Sequence, residues 1–231
     1  MRKAMKIKAI IFDVDGLMAD TEFHHCESIA ELMSFYGVKL TKAYQVGLVG
    51  LSTKHNFLDL KRIHGLKEGL NSLLAKREKL YIKRIKTSGI KAFPGLKDIL
   101  LYAKKNDIKI AVGSSSLRPQ IDTVVPILIR STGIKTPYRR YFDTVVTGSD
   151  VKHTKPAPDI YNLVSKNLGI SPAECLVLED SVTGVKAAKA AGMCCIAVKN
   201  RYSKKHDLSI SDYQVKSLKE AFRIIKKIEG K

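Results

Sequence analysis

From Phe93-Pro94-Gly95 onward the sequence alternates short apolar runs with amphipathic segments, and this alternation restricts the fold more than any other feature. Leu96–Lys105 has helical spacing, Ile108–Val112 reads as a strand, and Gln120–Ser131 is helical again. Thr144–Thr147, Cys175–Leu178 and Cys195–Val198 read as further strands, with helices at Asp159–Leu168 and Val182–Ala191 between them. Strands that are apolar along their whole length are buried on both faces, which calls for a parallel sheet covered by helices on either side. A basic amphipathic helix is expected after Glu220.

The N-terminal run Lys6-Ile7-Lys8-Ala9-Ile10-Ile11-Phe12 is short and rich in β-branched residues, a buried strand ending at Asp13. Between Thr21 and Ile90 nothing resembles a buried strand. Ile29, Leu32, Met33 and Tyr36, then Leu70, Leu73, Leu74, Leu80, Tyr81 and Ile85, follow helical spacing instead. The sequence therefore predicts an α/β sheet domain interrupted after its first strand by a small helical unit. In such open sheets, ligands bind beyond the carboxyl ends of the strands.

Several function classes drop out on composition. No apolar run approaches the roughly 20 residues of a membrane span, and the basic Met1–Lys8 segment leads into too short an apolar stretch for a signal peptide. Cys26, Cys175, Cys194 and Cys195 have no spacing for zinc or disulfide chemistry, so free thiols and a cytoplasmic location are expected. The formal charge is +19, yet the lysines are spread along the chain, Trp is absent and no aromatic residues interleave with a basic cluster. That argues against a specific nucleic-acid footprint and for a positive field that draws in small anions.

The polar residues of interest fall at strand ends. Asp13-Val14-Asp15-Gly16 puts two carboxylates at the exit of a buried strand, which calls for a cation; Mg²⁺ is a hard ion that takes such oxygens. Gly16 lets the backbone turn and approach a ligand closely. Ser114, followed by Ser115 and Ser116, ends the next strand and could donate to a phosphoryl oxygen. Lys155, in Lys155-Pro156-Ala157-Pro158-Asp159, could offset repulsion between an anionic nucleophile and an anionic ester. Glu179-Asp180 closes a fourth strand with a second acidic pair. Singly, each has a plainer reading: an Asp-Gly turn, a capping serine, a solvated lysine beside prolines, a capped helix start. Together, in order along one sheet edge, they point to phosphate chemistry.

Asp13-Val14-Asp15-Gly16, Ser114, Lys155 and Glu179-Asp180 resemble the four motifs of the haloacid-dehalogenase superfamily. The stretches DVDGLMADTE, VGSSS, TKPAPDIY and LVLEDSVTGVKAAKAAGM are similar to its β-phosphoglucomutase-like phosphatase branch. The resemblance implies a Rossmann-like three-layer core at residues 1–20 and 93–231, with a helical cap at 21–92. It implies Asp13 as the nucleophile, Asp15 as the general acid and base, and Ser114 and Lys155 as holders of the phosphoryl group. Asp13, Asp15, Asp180 and Glu179 would hold Mg²⁺. Gly16, Ser115, Thr21, His25, Lys54 and Lys76 would face the substrate, with Arg77 a further candidate. Two departures stand out: Gly50-Leu51-Ser52-Thr53-Lys54 lacks an Arg often found in relatives, and Thr154 replaces a common Gly.

The expected activity is hydrolysis of a small phosphomonoester, such as a sugar phosphate, by a monomeric enzyme through an aspartyl-phosphate. A β-phosphoglucomutase-type phosphomutase is the alternative. A non-catalytic binding protein or a nucleic-acid-binding module ranks behind both.

Overall fold

The computed structural model describes residues 6–49, 53–203 and 206–230. In chain order the first elements are β1 (Ala9–Phe12), α1 (Glu22–Ser34), α2 (Lys42–Gly47), α3 (Thr53–His64) and α4 (Leu70–Ser88). Next come α5 (Leu96–Lys105), β2 (Lys109–Gly113), α6 (Arg118–Ser131), α7 (Tyr138–Tyr141), β3 (Thr144–Val146) and α8 (Asp159–Leu168). The chain closes with β4 (Cys175–Glu179), α9 (Val182–Ala190), β5 (Cys194–Val198), β6 (Tyr213–Val215) and α10 (Leu218–Ile228). The chain divides into two compact units, one of residues 1–20 and 91–231, the other of residues 21–90.

The first unit is an α/β domain of the Rossmann-like type. Its six strands are parallel and ordered β3-β2-β1-β4-β5-β6. β1 runs down the middle, with Phe12 level with Val112 on one side and Leu178 on the other. Alternate residues serve opposite faces. Ala9, Ile11, Ala111, Val177 and Cys195 join a buried cluster with Ile160, Tyr161 and Val164 of α8 and Val185 and Ala188 of α9. The intervening Ile10, Ile110, Leu176 and Ile196 are equally buried and serve the face on which α5 and α10 pack. The central strands β1 and β4 are thus covered on both sides, which is why they tolerate no polar residue before their carboxyl ends.

Lys91 and Ala92 belong to this unit, two residues more than the expected boundary allotted to it. Ala92 bridges Ala19, and the Phe93 N–H donates to the Met18 carbonyl at 2.8 Å, so the outgoing and returning segments are tied together. The three-residue β6 is an addition to the expected sheet; it is too short to show a pattern in the sequence.

The second unit is helical. α1 packs on α4, and Ile29, Leu32, Met33, Phe57, Leu60 and Leu73 form its buried center. Gly50, Leu51 and Ser52, the start of the loop singled out above, lie outside the described residues. Cys26, Cys175 and Cys195 are buried and Cys194 is half-buried, with no disulfide among the described residues. Among the described residues no helix is long and apolar enough to cross a membrane.

Candidate active site

The sheet reverses its direction of growth between β1 and β4, and that switch point is where a ligand crevice opens in such folds. Asp13 follows β1, and its N–H donates to the Leu178 carbonyl at 3.1 Å, so the ladder fixes its backbone against β4. Lys155 reaches in from the segment before α8 and is almost wholly buried. Its ammonium donates to Asp13 Oδ1 at 2.6 Å, Glu179 Oε1 at 2.5 Å and the Gly113 carbonyl at 2.9 Å. An ammonium has three hydrogens, and all three are used. The ring of Tyr161 lies 4.9 Å from the same nitrogen, a cation–π contact.

Glu179 is fully buried and its carboxylate is saturated. Oε1 accepts from Lys155 and from the Tyr161 hydroxyl at 2.7 Å. Oε2 accepts from the Asp180 and Ser181 N–H groups and the Ser181 hydroxyl, at 3.0 to 3.2 Å. One oxygen each of Asp13, Glu179 and Asp180 lie within 4.8 Å of one another. Glu179 thus holds Lys155 and also stands in this acidic group beside Asp13 and Asp180. Asp180 is steadied instead by Asn200, whose Nδ2 donates to Asp180 Oδ2 at 2.6 Å and to the Gly16 carbonyl at 3.0 Å.

Gly16 has φ of +77°, and a Cβ there would come within 2.3 Å of Asp180 Oδ2. The glycine therefore allows the close approach of the β1 loop to Asp180. On the other flank, the Ser116 hydroxyl donates to Asp15 Oδ2 at 2.6 Å, and the Ser116 N–H donates to Ser114 Oγ at 3.0 Å. Ser114 is buried and Ser115 exposed. Asp15, Ser114 and Ser116 thus form one hydrogen-bonded group, and Asp13, Lys155 and Glu179 another.

Charge explains the electrostatics. Burial, together with the negative Glu179 and Asp15, outweighs Lys155 and pushes the Asp13 carboxyl up to about 8. Burial works against the Lys155 charge too, but Asp13 and Glu179 prevail and hold the ammonium above its ordinary value. Glu179 resists its burial because Lys155, Tyr161 and Ser181 hold it below the usual range. One ammonium thus faces more carboxylate charge than it can neutralise, and the surplus sits on Asp13, beside Asp180. An oxygen-rich cluster short of positive charge fits a hard divalent cation such as Mg²⁺, with Asp13 and Asp180 as its carboxylates.

The helical unit carries the other expected residues. His25, on α1, stacks on Tyr81 of α4, with ring centroids 4.2 Å apart, and its Nδ1 hydrogen-bonds the Arg77 guanidinium. Arg77 is only 2% exposed and also lies over the Tyr81 ring. Lys76 takes a different direction: it bonds Glu68 at 2.8 Å and the Tyr36 hydroxyl at 3.3 Å on a half-open surface. Of these two neighbours Arg77 is the one beside His25, because a helix turns successive residues about 100° apart. Lys54 is exposed in the first turn of α3. Thr21 is buried, and its hydroxyl makes no hydrogen bond among the described residues.

Ser116, Tyr161 and Asn200 are the residues that sequence reasoning passed over. Asn200 follows β5 at the same sheet edge as the recognised motifs, so strand-end position could have found it. The model of the haloacid dehalogenase-like hydrolase family matches residues 10–198, across all four motifs.

The chain belongs to the haloacid dehalogenase-like hydrolases.

This hydrolase is 35% identical to YhcW of Bacillus subtilis over 93% of each chain. It is 32% identical to a phosphorylated carbohydrates phosphatase of Thermotoga maritima, over 81% of this chain and 82% of that one. Among solved structures it is similar to CbbY from Rhodobacter sphaeroides in complex with xylulose-1,5-bisphosphate. That likeness has a TM-score of 0.80 and 26% identity and covers 93% of the hydrolase and 96% of CbbY.

Proposed function

We propose that the hydrolase is a Mg²⁺-dependent phosphatase acting on a small phosphomonoester, a sugar phosphate by class, through an aspartyl-phosphate on Asp13. The observation that carries this is the Lys155 ammonium held between Asp13 and Glu179, with Asp180 alongside. In this reading an Asp13 oxygen attacks phosphorus as the bond to the ester oxygen breaks. Asp15, oriented by Ser116, gives its proton to the leaving oxygen. It then takes a proton from the water that attacks the phospho-Asp13, which releases phosphate and restores the carboxylate. Ser114 and the N–H groups after it hold the phosphoryl oxygens. Lys155 reduces the repulsion between Asp13 and the anionic ester, so positioning and charge supply most of the rate. Mg²⁺, when bound, would neutralise further phosphoryl charge. Glu179 and Tyr161 act through Lys155, and the helical unit serves as a cap that selects the substrate, with Arg77 and His25 its polar center.

The sugar-phosphate class is supported by the bisphosphate bound to CbbY and by the name of the Thermotoga phosphatase. The test is phosphate release from a panel of phosphorylated sugars with Mg²⁺. Release should fall by roughly a thousandfold or more in Asp13→Asn, which removes the covalent route, and should stop in chelator. Conversion of a sugar 1-phosphate to its 6-phosphate without free phosphate would favor the phosphomutase instead. Turnover retained by Asp13→Asn would exclude both.

A further inference from the structure

A cavity of about 450 Å³ lies within the α/β unit, lined in part by Gly16 and Asn200, and the mechanism above assigns it no role. Its walls are largely apolar, supplied by Leu17, Phe93, Pro94, Val198 and Leu218. Four cations stand around them: Lys199, Arg201, Lys216 and Lys219. The single acid in the lining, Asp20, is already ion-paired to Arg201. An apolar cavity with surplus positive charge matches a ligand with an apolar body and one anionic end.

Its location gives such a ligand a consequence. Asp20 is the last residue before the chain leaves this unit, and Phe93 follows shortly after it returns at Lys91. The Ala19–Ala92 bridge and the Phe93–Met18 hydrogen bond tie these two segments together beside the cavity. Asn200, also in its lining, holds both Gly16 and Asp180.

We propose that this cavity is a second binding site, for a small amphipathic anion such as an aryl or alkyl carboxylate, phosphate or sulfonate, and that its occupancy stiffens the two crossing segments. The probe is 1-anilinonaphthalene-8-sulfonate, titrated into the full chain and followed by fluorescence and amide hydrogen exchange. Saturable one-to-one binding is expected, with exchange slowed at residues 17–20 and 92–93. The Lys216→Glu/Lys219→Glu variant should weaken binding at least tenfold. Both side chains are exposed, and acidic residues suit the start of α10, so the variant should fold. Lys199→Gln should weaken binding as well. Lys135→Glu/Lys166→Glu, an equal change of charge elsewhere on the same unit, should alter it less than twofold. Non-saturable binding, equal weakening by both double variants, or unchanged exchange in the crossing segments would overturn the proposal.

Discussion

Gly184 lies so close to the carboxylate of Glu179 that a Cβ built on it would be 1.8 Å from Oε1. A glycine in the first turn of α9 is unfavourable for the helix by roughly 1 kcal/mol relative to alanine. The site explains it, because Glu179 occupies the space that a side chain would need.

Gly184→Ala should therefore destabilise the protein, since overpacking of this kind costs about 1–3 kcal/mol and exceeds the helix gain. Turnover should suffer more, by roughly 100-fold, because a displaced Glu179 misplaces Lys155 and Asp13. Urea unfolding and steady-state rates measured on one preparation check both. A variant more stable than the parent with an unchanged rate would show that Glu179 has room to move.

Metal affinity should depend on pH with a defined sign. Asp13 is pushed up to about 8, so below that pH a cation must displace its proton. Mg²⁺ affinity should rise roughly tenfold per pH unit between 6 and 8 and level off above, as competition with one proton requires. Calorimetric titration of the protein with MgCl₂ at four pH values reads this directly. A flat profile from 6 to 8 would mean that Asp13 is already ionised in the free protein.

Adjacent cations of α4 should respond in opposite ways to truncation. Arg77 is buried against His25 and Tyr81, and breaking a buried ionic or hydrogen-bonded set typically costs roughly 3 kcal/mol. Arg77→Ala should unfold at markedly lower urea than Lys76→Ala, which should stay near the parent because its pairing with Glu68 is in solvent. Equal midpoints would refute the division of roles drawn between them.

Asp143 anchors the start of β3 to β2, accepting from the Ile110 N–H at 2.8 Å and from Lys109 at 3.0 Å. Burial opposes its charge, yet these donors and Lys104 outweigh it and hold the carboxyl below its ordinary value. A depressed folded value adds stability at pH above the unfolded value, and that stability is lost as pH falls through the folded one. Asp143→Asn should thus unfold more readily than the parent at pH 7, and the gap should close on acidification below about 4. A gap that stays constant down to pH 3 would count against a charge effect.

Strand-end carboxylates and the alternation of elements made the α/β fold and the Asp13, Lys155 and Asp180 positions legible in the sequence. A buried strand that ends in two acids leaves few alternatives. The contacts of Glu179 were hidden because its partners, Tyr161 and Ser181, come from α8 and the residue before α9. Only the packed structure shows that both its oxygens are engaged. Arg77 was within reach: Leu73, Arg77, Tyr81 and Ile85 recur every four residues and are all buried, so the pattern placed an arginine on the inner stripe of α4. Reading it as one of two charged neighbours obscured that. Much of the cavity lining beside Asn200 comes from loop segments, where no periodicity marks a residue's direction.

Because β1 pairs directly with β4, β1 must wait for a strand far along the chain before its neighbourhood is complete. During synthesis Asp13 emerges early, while Lys155 and the Glu179-Asp180 pair follow only after the whole helical unit has been made. Such distant pairings form late in folding. A chain truncated before Lys155 would carry Asp13 without its counter-charge or its acidic neighbours Glu179 and Asp180.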